Sequence, residues 1–152
     1  EERLSFLIRA VSKQIVALEY ADKQLFSPLL TLGMFKSLNN NPALALKIDA
    51  FVVRFCRLQD TIDDQLLPAI LKALEEPVSA LLINLNKAER YEWLESVDQW
   101  MKLRHLHSKM VPECTEDVAT LCMSLMTAHN SIPVLKQFAC TLITQAERLK
   151  VF

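Results

Sequence analysis

A single glycine, Gly33, is the feature that most constrains this chain of 152 residues. Tight hairpins, dinucleotide-binding turns and phosphate-binding loops all need residues that adopt positive φ, which glycine does most readily. With one glycine, the chain lacks the residues that these structures require. The sequence therefore predicts an all-α protein and argues against a nucleotide-binding α/β enzyme.

Composition predicts a folded domain with a substantial core. Apolar residues make up 51% of the chain and charged residues 23%, enough apolar side chains for one helical domain spanning residues 1–152. The 17 basic and 18 acidic residues give a net charge of −1. That balance gives no overall attraction for nucleic acid or for an anionic membrane.

Cysteine usage and the longest apolar run bear on the protein's location. None of the four cysteines forms a Cys-x-x-Cys pair: Cys56, Cys114, Cys122 and Cys140. We interpret them as reduced thiols of a cytoplasmic protein. Polar residues and Pro133 interrupt the charge-free run 118–135, so we expect two buried helical segments there and no membrane span. The chain opens on Glu-Glu-Arg, where no signal peptide is visible and an initiating Met is lacking, which is compatible with further residues upstream.

Apolar periodicity predicts long helices in the first half of the chain. Residues 3–26 present one apolar face and end at Ser27-Pro28. Pro42 suits the first turn of a second helix over 43–74, with a kink or restart at Pro68. The apolar stripe of this second helix is the most regular in the sequence: Leu44, Ile48, Phe51, Phe55, Leu58, Ile62 and Leu66.

The second half of the chain contains shorter predicted helices. Pro77 is predicted to start one helix, Ser96 to cap the next, and Thr115 to cap the one after that. The last two segments, 116–129 and 132–150, are predicted to meet at a proline kink. Together the segments predict an up-and-down bundle of four to six helices.

The second helix also carries a charged strip away from its apolar stripe: Arg54, Arg57, Asp60, Asp63 and Asp64. Arg57 and Asp60 are three residues apart and can share a face. No histidine stands at helical spacing from the acids, which argues against a metal site there. We therefore interpret Arg54, Arg57, Asp60 and Asp64 as a polar strip at a surface or a subunit interface.

A basic cluster follows the predicted helix capped by Ser96. Arg104, His105, His107 and Lys109 lie within six residues, where their charges can bind phosphate or complement a helix C-terminus. His105 and His107 point to different sides of a helix, so with Cys114 they offer an incomplete zinc site. Nothing in the sequence orients Cys114 and His107 as a nucleophile and its base. No metal and no cofactor are predicted.

Three segments carry a resemblance to a known family: Arg-Phe-Cys-Arg-Leu-Gln-Asp at 54–60, Leu-Leu-Pro at 66–68, and Asp-Gln-Trp-Met-Lys-Leu-Arg-His-Leu-His-Ser-Lys-Met-Val-Pro-Glu-Cys at 98–114. They resemble the HEPN superfamily, and more narrowly the small helical proteins encoded beside minimal nucleotidyltransferases in toxin–antitoxin pairs. The resemblance implies a bundle of four or five helices that dimerises. The active members of that family are metal-independent ribonucleases.

The ribonuclease motif of the family, Arg-polar-x(about four)-His-x-Tyr, falls on residues that lack its chemistry. In this chain the Arg position is His107, the polar position Ser108, the His position Pro112 and the Tyr position Cys114. The family's arginine holds the phosphate and its histidine moves a proton, and proline can do neither. The resemblance therefore implies a catalytically degenerate member.

The resemblance thus implies a binding protein that forms a homodimer and docks a minimal nucleotidyltransferase or a similar partner. The candidate contacts to this partner or to RNA lie in the motif segment, residues 104–114: Arg104, His105, His107, Ser108, Lys109, Pro112, Glu113 and Cys114. Two alternatives stay open. One is a ribonuclease in which Arg104 acts with His105 or His107, and the other is a helical interaction module unrelated to toxins.

Overall fold

Residues 2–150, the part of the chain that the computed structural model describes, form α-helices joined by turns and contain no β-strand. The α-helices are α1 Glu2–Phe26, α2 Leu32–Lys36, α3 Pro42–Thr61, α4 Leu67–Ala73, α5 Leu81–Arg90, α6 Val97–Arg104, α7 His107–Met110 and α8 Val118–Lys150. The prediction of an all-α bundle is confirmed. The chain adds the short helices α2 and α7 to the predicted segments.

Three long elements, α1, α3–α4 and α8, form the frame of the bundle. The Arg54 guanidinium donates to the Ala17 carbonyl at 2.9 Å, and Arg3 donates to Gln65 at 2.9 Å. Residues late in α1 therefore lie beside the middle of α3, and residues early in α1 lie beside its end. α1 and α3 are antiparallel.

α8 is also antiparallel to α1. His129 Nδ1 lies 2.6 Å from Asp22 Oδ1, and Lys136 Nζ lies 3.3 Å from Glu19 Oε2. These pairs join α8 to α1 on either side of Pro133. α3 and α8 consequently run parallel to each other, with the core between the three helices.

The apolar stripe of α3 is buried inside the subunit. Asn41 Oδ1 accepts from the Leu44 amide at 3.1 Å and caps α3, with Pro42 in its first turn as predicted. All seven predicted stripe residues are at most 6% exposed. The stripe therefore packs in the core of the chain itself and is not exposed for contact with another molecule.

The helix continues past Pro68 through a π-helical turn, Ile62–Leu66. A proline ring clashes with the carbonyl four residues earlier in a regular α-helix and offers no amide for that hydrogen bond. The wider turn directly before Pro68 accommodates both effects, so that α4 follows without a break. At Pro68, where the sequence predicts a kink or a restart, the helix instead contains a π-helical bulge and continues.

The prediction that a helix starts at Pro77 is wrong, since α5 begins at Leu81. Side chains of α5 hold the preceding backbone in a non-helical conformation. Asn84 accepts from the Ser79 amide and donates to the Ser79 carbonyl, both at 3.0 Å, and Lys87 Nζ donates to the Pro77 carbonyl at 2.6 Å. These bonds replace the helical hydrogen bonds that the segment would otherwise form.

Two predictions about the last helix are also wrong. Asp117, and not Thr115, caps α8, because its carboxylate accepts from the Ala119 amide at 3.0 Å and the Thr120 hydroxyl at 2.8 Å. α8 also runs unbroken from Val118 to Lys150 through Pro133. Packing of α8 on its neighbours on both sides of the proline holds it as one helix.

α8 is long and apolar enough to cross a membrane by length and composition alone, with a mean hydropathy of 1.3 over its most apolar window. In the described fold one face of this helix is buried, at residues that include Leu125, Leu135, Phe138 and Leu142.

Candidate functional site

The motif segment begins at the C-terminal end of α6. Ser96 Oγ accepts from the Gln99 amide at 3.1 Å and caps this helix, as predicted. Trp100, on the inner face of α6, is fully buried, and its ring meets Phe138 of α8 edge-on at a centroid distance of 4.9 Å. This anchor fixes the position of Arg104 one turn further on.

Asp63 is the partner of both Trp100 and Arg104. The Trp100 indole nitrogen lies 2.9 and 3.1 Å from the two Asp63 carboxylate oxygens, and Arg104 Nη1 donates to Oδ2 at 2.5 Å. The same guanidinium nitrogen lies 3.2 Å from Asp60. Two carboxylates thus hold the only arginine of the motif segment.

Burial dominates the electrostatics of Asp63. It raises the pKa of this carboxyl to about 7, against the opposing effect of Arg104 and the Trp100 hydrogen bond. Burial alone would lower the pKa of Arg104, but Asp63 outweighs it and the net direction is upward. The guanidinium therefore stays charged and bound to its partner.

His107, at the Arg position of the motif, lines a cavity of about 90 Å³ between α3 and the α6–α7 turn, together with Cys56, Gln59, Asp60 and Arg104. Burial, and then Asp60, raise the pKa of the Cys56 thiol to about 11, which keeps it protonated. The cavity therefore offers no thiolate nucleophile, and its arginine already has carboxylate partners.

Pro112, at the His position of the motif, lines a different cavity. That cavity measures about 170 Å³ and is formed with residues of α2, the following turn and the start of α8, among them Phe35, Asn39 and Leu121. The Thr115 hydroxyl donates to the Ser108 carbonyl at 3.1 Å and closes the loop. His107 and Pro112 thus lie beside separate cavities.

The remaining motif residues are exposed. His105 follows the last turn of α6, Lys109 lies on α7, and Glu113 and Cys114 lie on the 3-10 turn after it. Cys114 does not line the cavity that His107 lines. The structure therefore does not bring the two together as a catalytic pair.

The predicted polar strip is divided between two neighbours. Arg54 is bound to the Ala17 carbonyl of α1, whereas Asp60 is bound to Arg104 of α6. Arg57, predicted to share a face with Asp60, forms no ion pair among residues 2–150. Asp64 is exposed.

Sequence reasoning misplaced Asp63 and did not include Trp100 in the site. The helical pattern places Asp63 on the charged strip, away from the apolar stripe, yet it is 2% exposed. A signal existed in its position next to Ile62, at the edge of the apolar stripe. Its partner Arg104 lies 41 residues away in sequence, so no local spacing could identify the pair.

Among the described residues, no group of three or more histidine, cysteine or acidic side chains is placed to hold a metal ion. Comparisons with protein-family models, with curated proteins and with solved structures find no match to this chain. The functional argument therefore depends on the residues themselves.

Proposed function

We propose that this cytoplasmic protein is a catalytically degenerate HEPN-like binding protein, which forms a homodimer and docks a minimal nucleotidyltransferase. The observation that carries the proposal is the state of Arg104. Arg104 Nη1 lies 2.5 Å from Asp63 and 3.2 Å from Asp60, so the charge of the guanidinium is already paired within the chain.

This arrangement argues against the ribonuclease alternative. An arginine that grips a phosphate needs a free fork of donors, and two carboxylates beside it repel the same phosphate. The position at which the family has its histidine adds no proton-transfer group, because residue 112 is a proline. Binding is the function that the segment can still perform.

Exposed side chains at the motif segment support a docking role. His105, His107, Lys109 and Glu113 all lie at the surface around α7. Their mixed charges suit a polar contact with a folded protein better than a contact with a nucleic acid, which requires a surplus of positive charge.

Reconstitution of the complex tests the proposal. A reading frame beside this gene with a Gly-Ser-x(about ten)-Asp-x-Asp nucleotidyltransferase pattern would supply the partner, and co-expression should yield a complex of defined stoichiometry on gel filtration. Lys109→Glu with His107→Glu should weaken that complex, while Glu147→Lys on α8 should not. A co-expressed partner that elutes separately at micromolar concentration contradicts the proposal.

A further inference from the structure

α1 and α3 expose apolar side chains on the side away from the core. The exposed fractions are 61% for Tyr20 of α1, and 70% and 48% for Leu46 and Val53 of α3. Tyr20, Leu46 and Ala50 line a groove of about 240 Å³ between the two helices, and Gln24, Lys47 and Arg54 form its polar edge. Contiguous exposed apolar side chains of this kind mark interaction surfaces.

Two opposite charges lie at equal distances from Val53 on the exposed side of α3. Asp49 comes four residues before Val53 and Arg57 four residues after it, so both share the helix face of Val53. Asp49 and Arg57 are exposed and form no ion pair within residues 2–150. Each of them is thus free to meet its opposite on a reversed copy.

We propose that this face is the homodimer interface, with α3 packed antiparallel against α3 of a second copy about a two-fold axis near Val53. The inference rests on the homodimer of the proposed function and adds its location and register. Asp49 then lies level with Arg57 of the second copy. The two-fold axis repeats this pair, and Val53 lies between the two pairs.

The order of the charges favours a second copy over a different protein. A heterologous partner needs only charges opposite to those of α3, whereas an isologous interface needs a surface complementary to itself.

The area of the proposed face is also suitable for a stable interface. α3 is about 30 Å long and α1 lies beside it, which gives a footprint of roughly 600 Å², close to the ~800 Å² per partner of a typical stable interface.

Charge reversal on α3 tests both the face and its register. We expect sedimentation velocity to show a dimer for the unaltered protein. Asp49→Lys and Arg57→Asp should each raise the dissociation constant by about tenfold, since each places like charges level with one another twice. Val53→Arg should weaken the dimer by burying a charge at the axis. Glu147→Lys, an exposed reversal on α8, should leave the dissociation constant unchanged.

Mixing the two single variants gives the more stringent test of the proposed register. Asp49→Lys and Arg57→Asp subunits carry opposite charges at facing positions, so the mixture should form heterodimers about as strong as the native dimer. The double variant should recover self-association.

The outcomes separate the two proposals. A dimer that is insensitive to both single reversals and to Val53→Arg, or a mixture that does not recover, overturns this interface and leaves the homodimer in place. A native protein that remains monomeric at every concentration overturns both.

Discussion

Asp63 places a carboxyl in the core, and its pKa makes the stability of the protein depend on pH. This pKa is about 7 in the folded protein, against an ordinary aspartate value near 3.8 in the unfolded chain, so the folded state binds the proton more tightly than the unfolded state does. The free energy of unfolding should therefore fall as the pH rises between these values, by at most about 1.4 kcal/mol per pH unit.

Urea unfolding of the native protein and of Asp63→Asn, measured from about pH 4 to about pH 8, isolates this contribution. Asparagine can still accept from Trp100 but does not titrate, so the decline should be weaker in the variant by a few kcal/mol over the range. Parallel curves for the two proteins would show that burial of Asp63 does not control its protonation.

Arg104 is expected to contribute to stability, because it is the charged partner of a buried carboxylate. Arg104→Ala should lower the free energy of unfolding by about 2–3 kcal/mol at pH values where Asp63 is ionised, and by less at acidic pH. Lys102→Ala, an exposed change two residues away, should cost less than about 0.5 kcal/mol. Equal losses for the two variants would mean that the ion pair is unimportant.

At the element scale, the chain ends α4 with a residue in an unfavourable conformation. Glu75 has φ 59°, in the left-handed region that glycine adopts at helix ends. Glu75→Gly should raise the free energy of unfolding by about 0.5–1 kcal/mol, because it removes the Cβ strain. Ala73→Gly, inside the last turn of α4, should instead lower it by about 1 kcal/mol. Thermal unfolding of both variants checks the opposite signs.

The helices themselves were predictable wherever local chemistry decides their bounds. The α1 face, the Asn41-Pro42 start of α3 and the Ser96 cap all follow from residues within one turn of each other. The errors have distant causes. α8 continues through Pro133 because other helices pack on it, and residues 77–80 stay non-helical because Asn84 and Lys87 bind their backbone.

The candidate site was less predictable than the helices for the same reason. The motif segment could be located from its sequence, but the partners of Arg104 lie on α3 and the following π turn. Their identity depends on how α6 packs across the bundle, which Trp100 determines through contacts with Asp63 and Phe138. The spacing of residues in the sequence does not show how α6 packs against α3 and α8.

At the scale of the whole molecule, we expect that restoring the two ribonuclease residues of the family restores activity to a HEPN-like protein. His107→Arg together with Pro112→His should recover some RNA cleavage without metal, because arginine grips phosphate through two hydrogen bonds and histidine transfers a proton. Either single change should recover little, since the two roles act as a unit. The two positions lie by separate cavities within the chain, so in the proposed homodimer residue 107 of one copy has to approach residue 112 of the other.

A matched variant, His107→Lys with Pro112→His, should recover less, because lysine lacks the forked guanidinium. A folded His107→Arg/Pro112→His protein that stays inert would count against the HEPN-like assignment itself.

Cleavage of labelled RNA by the unaltered protein, in the presence of a chelator, tests the central claim most directly. The account predicts that the RNA stays intact over the full course of the assay, because Arg104 is held by Asp63 and position 112 cannot transfer a proton. Cleavage by the purified protein that disappears in Arg104→Ala would contradict it and establish an enzyme.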